Sequence, residues 1–228
     1  MSFILAVETA TRPCSVAFQT HETIYSLYSE DEKSSSQKTL QMVDDVLREA
    51  DASINEVESL GVTIGPGSFT GLRIGFSLIQ GLALALDIPV CGLSTLEVLA
   101  ATYKRTRDLR KDQLLITVID ARMEQFAVGG YRWNGSRFAR EMEDCLMNQK
   151  DVSDLIKKKK PVAVVGEGMK LFPEGSKRNL DVIDLFPNAI DVCELASDYA
   201  ERDLLTSIDD LDVSYLRGQE AWTKRKKG

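Results

Sequence analysis

Short apolar runs alternate with amphipathic stretches along the first half of the chain. The runs are bounded by turn-forming residues, which is typical of strands, and the longer stretches carry apolar side chains at helical spacing. The predicted strands are residues 3–6, 15–18, 60–64 and 89–92, and the predicted helices are residues 36–49, 72–86 and a third that begins near residue 94. This alternation predicts an α/β fold with layered helices and sheets.

The opening pattern recurs near the middle of the chain. Residues 3–7 precede the acid Glu8 and a returning strand, and residues 114–119 precede Asp120 and a second returning strand. The recurrence predicts two copies of one domain type, with the boundary in the polar stretch 103–113. A strand followed by an acid and a turn also occurs in unrelated α/β proteins, so the pattern alone leaves chance recurrence as an equal alternative.

The second half carries weaker signals after this repeat. Its predicted elements are strands at 126–128 and 162–165 and helices at 151–160 and 192–202. The tail, residues 215–228, is basic and is expected to run over the surface. The two domains are therefore placed at residues 1–105 and 106–228.

The composition narrows the class of protein. The chain has 228 residues, of which 43% are apolar and 28% charged, and this suits a globular protein of one large or two small domains. Its four cysteines are widely separated and form no CxxC pair, which favours reduced thiols and a cytoplasmic location. The net charge of −7 repels polyanions on average, so any contact with RNA is expected to be weak or indirect.

A glycine-rich segment joins the predicted strand at 60–64 to the predicted helix at 72–86. Glycines allow positive φ and close backbone approach, and amides at a helix start can bind an anion. The spacing differs from that of a phosphate-binding P-loop, and Leu72 stands where that motif has lysine, so a structural turn is favoured over a ligand site. The residues of this glycine loop are Gly65, Pro66, Gly67, Ser68, Phe69, Thr70, Gly71 and Arg73.

The helix predicted at 72–86 is apolar on nearly every side. It contains Arg73 and is shorter than the ~20 residues that cross a bilayer. One side can lie on its own sheet, and a partner helix is expected on the other, although the central helix of one large domain is an alternative. The predicted association surface combines this helix with the stripe on 36–49 and comprises Leu40, Val43, Leu47, Gly71, Ile74, Gly75, Leu78, Leu82 and Ala85.

Residues with catalytic chemistry are scarce. His21 is the only histidine, so the chain has no two-histidine metal site and no pair of catalytic histidines. Glu8 and Asp120 end strands where actin-like ATPases place acids that face metal or phosphate, but each could equally cap a turn. Both are therefore candidate vestigial phosphate-site acids, with capping favoured for Asp120, and no metal site is expected.

Five sequence features together resemble the TsaB (YeaZ) family. They are ILAVETAT followed two residues later by CSVAF, GPGSFTGLRIG in the glycine loop, STL at 94–96, IDAR at 119–122, and YLR followed three residues later by AW in the tail. The resemblance covers nearly the full length, and GPGSFTGLR together with IDAR is a specific combination.

The resemblance implies the actin-like, Hsp70-like and sugar-kinase-like fold, with two ribonuclease-H-like domains in tandem. It also implies a non-catalytic scaffold subunit in the synthesis of N6-threonylcarbamoyladenosine on the 3′ side of the tRNA anticodon. The implied partners are a TsaD-like catalytic paralogue, a TsaE-like ATPase and, for the isolated chain, a second copy, with tRNA contacted only indirectly or weakly. ATP and a metal ion are then expected to be used by the partner subunits, and no cofactor is expected to serve this chain as a catalyst.

The chain departs from the family pattern at two places. Glu8 stands where TsaB proteins commonly have aspartate, which lowers the expectation of independent nucleotide hydrolysis. Residues 35–37 read Ser-Ser-Gln where His-Thr-Gln is frequent, so no role is carried over to that helix start.

Two enzyme alternatives are weighed against the scaffold interpretation. A stand-alone actin-like ATPase needs an adenosine-binding glycine motif, for which residues 166–168 are a weak candidate. A glycoprotease-type metallopeptidase is disfavoured by the single histidine. The lysine-rich runs 157–160 and 224–227 are interpreted as solvated charge at element ends, with a local contact to the tRNA backbone as the alternative.

Overall fold

Two five-stranded sheets form the framework of the chain in the computed structural model, which describes residues 3–30, 36–172 and 180–217. The strands are β1 (Ile4–Glu8), β2 (Cys14–Gln19), β3 (Ile24–Ser29), β4 (Ser59–Gly65), β5 (Val90–Ser94), β6 (Leu114–Asp120), β7 (Gln125–Trp133), β8 (Phe138–Asn148), β9 (Ala163–Gly166) and β10 (Asp181–Ile183). The helices are α1 (Ser36–Glu49), α2 (Phe69–Leu86), α3 (Thr95–Thr106), α4 (Gln149–Lys159) and α5 (Ala189–Glu201), with 3-10 turns at Ile54–Glu56, Glu167–Leu171 and Ile208–Asp210.

Both sheets have the same strand order. In the first sheet β1 lies at the centre, with β2 and β3 antiparallel on one side and β4 and β5 parallel on the other. In the second sheet β6 takes the central place, with β7 and β8 on the antiparallel side and β9 and β10 on the parallel side. The predicted duplication is therefore confirmed as two copies of one α/β unit.

Most predicted elements are present, and the three missed strands, β3, β8 and β10, lie at sheet edges, β10 being only three residues long. β3 alternates between half-buried and exposed residues, and β8 exposes most of its charged side chains. An edge strand with one solvated face carries a weak apolar signal, which explains why the sequence did not reveal either. α2 begins at Phe69, earlier than predicted, because the Ser68 hydroxyl accepts a hydrogen bond from the Gly71 N–H and caps it.

The first sheet is covered on both faces. α1 and α2 pack on one face, where Val43, Val46 and Ile79 join the sheet residues in one apolar cluster. On the other face α5 packs through Val192 and Ala196. The first sheet is thus the middle layer of three.

The second sheet is also covered on both faces. Leu96, Leu99 and Tyr103 of α3 pack on one face, while α4 packs on the other through Val152. α3 contributes Val98 to the cluster under α5 as well, so it lies between the two halves. The predicted boundary after residue 105 separates the two sheets along the chain, but α5 crosses it and packs on the first sheet.

Candidate functional site: the glycine loop and the α1–α2 groove

The glycine loop rests directly on the turn between β1 and β2. A Cβ at Gly71 would collide with the Thr9 carbonyl oxygen, and a Cβ at Gly75 would collide with the Thr9 hydroxyl. That hydroxyl donates a hydrogen bond to the Gly71 carbonyl oxygen at 2.7 Å, and the Ser68 N–H donates to the Ala10 carbonyl oxygen at 2.6 Å. These contacts account for the glycines by close backbone approach, in agreement with a structural turn.

The beginning of the tail lies against the same loop. The Ser214 N–H donates to the Ile64 carbonyl oxygen at 2.8 Å, and the Arg217 guanidinium donates to the Gln125 side chain at 2.6 Å. Residues 214–217 thus bridge the glycine loop and the β6–β7 turn, beside a cavity of about 130 Å³. The prediction for the rest of the tail concerns residues outside those the structure describes.

Glu8 ends β1 with its carboxyl group fully buried. Its Oε1 accepts hydrogen bonds from the N–H groups of Ala10 and Thr11, at 2.8 and 3.3 Å, and from the Thr63 hydroxyl at 3.4 Å. Burial raises the pKa of Glu8 to about 8, because these hydrogen bonds offset only part of the desolvation. At neutral pH Glu8 is therefore mostly protonated, and it caps the turn beneath the glycine loop.

Asp120 ends β6 at the equivalent place in the second half. Its side chain accepts hydrogen bonds from the Arg122 N–H at 2.8 Å and from Lys170 Nζ at 3.1 Å. Partial burial opposes ionisation, but the hydrogen bonds and the charge of Lys170 outweigh it and hold the pKa of Asp120 below its usual value. Asp120 is thus an ionised turn cap, as favoured from the sequence.

The described residues contain no cluster of three or more metal-ligating side chains. His21 is exposed in the β2–β3 turn, with its ring 4.7 Å from that of Phe3. Neither strand-ending acid belongs to a group with the chemistry to hold a metal ion among these residues.

The predicted association surface is divided between the core and the exterior. Four of its residues lie inside the chain's own core, three are half-buried on α2, and two are exposed. These groups are Val43, Leu47, Gly71 and Gly75, then Ile74, Leu78 and Leu82, and finally Leu40 and Ala85. The residues available to a partner are therefore the second and third groups.

A groove of about 780 Å³ runs between the N-terminal parts of α1 and α2. Leu40 and Ile74 line it, together with Phe69, which is 46% exposed and carries the Arg73 guanidinium 3.5 Å from its ring centroid. Leu84, farther along α2, is 61% exposed. The sequence did not assign Phe69 or Leu84 to this surface, although the helical spacing of Leu84 from Ile74 and Ser77 offered a signal.

α2 itself exposes much of its apolar surface. Only five of its 18 residues are buried. By length and composition it is the one helix among the described residues that could cross a membrane, but a core helix of a soluble protein meets the same criterion.

Comparison with known proteins identifies the family. Residues 29–200 match the family model described as TsaD: tRNA N6-adenosine threonylcarbamoyltransferase. The chain is 31% identical over 227 residues to the tRNA threonylcarbamoyladenosine biosynthesis protein TsaB of Escherichia coli (strain K12), and the match covers 97% of each chain. The chain belongs to the TsaB family. It is also 30% identical over 170 residues to TsaB of Bacillus subtilis (strain 168), covering 74% of this chain and 72% of that relative.

Solved structures agree with membership of the TsaB family. An uncharacterized protein with similarity to peptidase YEAZ from Pseudomonas aeruginosa superposes with a TM-score of 0.85 at 28% identity, and YeaZ from the same organism with 0.79 at 27%. Each covers 95% of this chain and is itself covered in full. Together with the duplicated sheets, this confirms the predicted α/β actin-like fold of two domains.

Proposed function

We propose that this chain is a non-catalytic partner subunit in the cytoplasmic synthesis of tRNA threonylcarbamoyladenosine, and that it associates with a TsaD-like catalytic paralogue through α1 and α2. The names of its TsaB relatives support the pathway. The observation that carries the association is the exposure of α2. Only five of its 18 residues are buried, so much of its apolar surface faces outward.

The exposed side chains on this surface are large and close to one another. Leu40 of α1 and Phe69 of α2 are each nearly half exposed, and both line the groove between the helices. Exposed apolar patches rimmed by polar residues mark association surfaces in soluble proteins. A second pair of helices fits this surface, and the product is a four-helix bundle.

The isolated chain offers the same surface to a second copy. A two-fold axis places identical patches against each other, so a homodimer forms in the absence of the paralogue and is displaced by it. A TsaE-like ATPase then joins the assembly, and ATP and the metal ion serve the partner subunits.

The chemistry of this chain supports a scaffold role over the two enzyme alternatives. A single histidine leaves no two-histidine metal set, which argues against a metallopeptidase. Glu8 is buried, mostly protonated and bonded to turn amides, so it does not offer a carboxylate to a metal-bound nucleotide. This argues against an independent actin-like ATPase.

Transfer of labelled threonine into tRNA tests the proposed function. We expect no incorporation by the purified chain alone, with or without ATP and a divalent metal ion, and incorporation when a TsaD-like paralogue and a TsaE-like ATPase are added. Incorporation by this chain alone contradicts the scaffold role, and equal incorporation by the partners without it contradicts the subunit role.

Matched leucine variants test the association surface. Leu40→Lys places a charge in the groove, while Leu204→Lys changes a leucine of similar exposure, 44% against 47%, outside the groove. We expect Leu40→Lys, and likewise Ile74→Lys, to weaken association at least about tenfold because an unpaired charge becomes buried in the contact. Leu204→Lys should associate as the unchanged chain does.

Sedimentation measures the association, and circular dichroism establishes that each variant is folded. Leu40 is exposed, so its replacement does not disturb the core. A folded Leu40→Lys chain that pairs normally with itself and with the paralogue would place the interface elsewhere.

A further inference from the structure

A group of basic residues surrounds one tryptophan where α3 ends and the β7–β8 hairpin turns. We name this surface the basic face and define it by Lys104, Arg107, Arg110, Lys111, Trp133 and Arg137. Residues 104–111 and 132–140 hold eight lysines and arginines and a single acid, in a chain whose net charge is −7. The basic face is therefore a local reversal of the average charge of the protein.

Backbone hydrogen bonds fasten the two segments of the basic face together. The Asp112 N–H donates to the Trp133 carbonyl oxygen at 2.7 Å, and the Trp133 N–H donates to the Gln113 carbonyl oxygen at 3.0 Å. Lys104 Nζ lies 5.4 Å from the centroid of the Trp133 ring. The cations and the indole ring are thus held at fixed positions relative to one another.

Three of these cations make no salt bridge among the described residues, and a fourth, Lys104, interacts electrostatically with Glu194. Arg105, Arg132 and Arg137 are paired with Asp191, Glu141 and Asp198, respectively. Arg107, Arg110 and Lys111, in contrast, make no salt bridge within the part of the chain that the structure describes, and all three are exposed to solvent. Unpaired like charges that are held close together attract a polyanion.

A groove of about 310 Å³ opens beside these cations. Trp133 and Phe138, whose ring centroids are 5.1 Å apart, form its apolar wall, and Lys104 and Arg137 lie along it. Asp198 and Glu194 also line the groove. Asp198 lies 2.9 Å from Arg202 and 3.8 Å from Arg137, and Glu194 interacts electrostatically with Arg105 and Lys104. The groove therefore presents an aromatic wall between paired charges, and the cations that make no salt bridge, Arg107, Arg110 and Lys111, belong to the segment next to it.

We propose that the basic face binds the sugar–phosphate backbone of tRNA and that Trp133 stacks on an unpaired base. This inference rests on the proposed function for the identity of the RNA. Cations bind the phosphates without regard to sequence, and an aromatic ring adds a stacking contact that every base can make. The contact is weak, with a Kd on the order of 10⁻⁴–10⁻⁶ M at physiological salt, and it adds to the tRNA contacts that the partner subunits make.

The arrangement favours RNA over an acidic protein. The cations without a salt bridge, Arg107, Arg110 and Lys111, follow one another along one segment, and the hairpin adds Arg132 and Arg137, whose charges are partly neutralised. The positive surface is therefore extended, as the regular charges of a nucleic-acid backbone require. The carboxylates of an acidic peptide can pair with the cations, but aspartate and glutamate carry no flat ring to stack on Trp133.

Neutralising three exposed cations tests the basic face. The test chain carries Arg107→Gln, Arg110→Gln and Lys111→Gln, and the matched control carries Lys157→Gln, Lys158→Gln and Lys160→Gln. The control changes the net charge equally, and α4 lies on the opposite face of the second sheet. Both sets are exposed, so neither disturbs the core.

Unmodified tRNA is titrated into each full-length chain across a salt series. We expect the test chain to bind about ten- to a hundredfold more weakly at low salt, with the slope of log Kobs against log salt reduced by about two to three. The control should bind as the unchanged chain does. Equal losses in both triple variants, or none in the test chain, would overturn the inference.

Two further readouts separate the outcomes. In a Trp222→Phe chain Trp133 is the only tryptophan, and tRNA should quench its fluorescence, whereas polyglutamate should not. If polyglutamate binds the unchanged chain as tightly as tRNA does, and its affinity falls as much in the test chain, the basic face is a surface for acidic proteins and the RNA inference fails.

In the reconstituted reaction the KM for tRNA should be higher with the test chain than with the unchanged chain, and kcat should be the same. If the unchanged chain does not stimulate incorporation at all, the proposed function fails, while the titrations still decide whether the basic face binds RNA. If stimulation is normal and the KM is the same in the test chain and the control, the proposed function stands and the basic face plays no part in it.

Discussion

The two halves of the molecule share a framework and differ in what joins their fourth and fifth strands. In the first half the connection is α2, an apolar helix of 18 residues, and in the second half its described part begins with the short 3-10 turn Glu167–Leu171. The strand order is the same in both. The comparison teaches that the sheets define the fold, whereas the connection between two strands supplies the exposed apolar helix that we propose as the association surface.

The acids that end β1 and β6 occupy equivalent places in the two halves and also differ from each other. Glu8 is fully buried next to the turn on which the glycine loop rests, and burial raises its pKa to about 8. Asp120 retains 18% of its side-chain exposure and has Lys170 within 3.1 Å, so its pKa is lowered. The two acids at equivalent places therefore differ in burial and in charge.

The largest effect is expected where α2 rests on the β1–β2 turn. Gly71→Ala places a methyl group against the Thr9 carbonyl oxygen, and since backbone must move, we expect a loss of roughly 4 kcal/mol in the free energy of unfolding. Urea unfolding measures it.

Gly81→Ala is the matched control on the same helix. A Cβ there meets nothing within 4 Å, and alanine favours helix, so the free energy of unfolding should rise by up to about 1 kcal/mol. If both variants change stability alike, the close contact does not hold α2 in place.

A second prediction uses pH to compare the two acids. A carboxyl group with a pKa of about 8 when folded and an ordinary value of 4.5 binds its proton more tightly in the folded state. Its contribution to stability is fully present below about pH 4.5 and is lost as the pH rises to about 8, at up to ~1.4 kcal/mol per pH unit. Glu8→Gln removes this dependence. The free energy of unfolding of the variant minus that of the unchanged chain should therefore be roughly 3 kcal/mol larger at pH 8 than at pH 5.

Asp120→Asn should behave differently, because the lowered pKa of Asp120 stabilises the fold above its ordinary value of 3.8 and not below it. Its difference from the unchanged chain should be constant from pH 5 to 9. Denaturation curves across that range measure both variants. Parallel pH profiles for Glu8→Gln and the unchanged chain would mean that Glu8 is ionised in the folded protein.

The smallest of the three effects concerns the crossing of α5 to the first sheet. Asp191 of α5 is fully buried and accepts hydrogen bonds from Arg105 of α3 at 2.7 and 3.0 Å. Arg105→Gln leaves that carboxylate buried without its cation, and because Arg105 is one-third exposed we expect a loss of roughly 2 kcal/mol.

The exposed pair of Arg202 with Asp198 provides the control, since Asp198→Ala should cost no more than about 0.5 kcal/mol. Thermal unfolding distinguishes the two. Equal costs would show that the Arg105–Asp191 pair does not fasten α5 across the halves.

Much of the fold could be predicted because its main elements have strong local signals. α1 begins and ends at the predicted residues, since Val43, Val46 and Leu47 repeat at helical spacing and face the core. The edge strands β3 and β8 were missed because one face of each is solvated, and β10 because it has only three residues. Within the association surface, periodicity identified the apolar residues of α1 and α2 but could not separate Val43, which the core buries, from Leu40, which it exposes.

The sequence by itself indicated the duplication and determined the apolar character of α2, the lack of a two-histidine metal site and the family, because each depends on local pattern or residue identity. Tertiary structure decided which acid is buried, where α5 packs and that residues 104–111 meet residues 132–140. These outcomes depend on contacts between segments far apart in the chain, such as that of Asp112 with Trp133. A run of charge is visible in one segment of sequence, but the basic face exists only because backbone hydrogen bonds bring two segments to one surface.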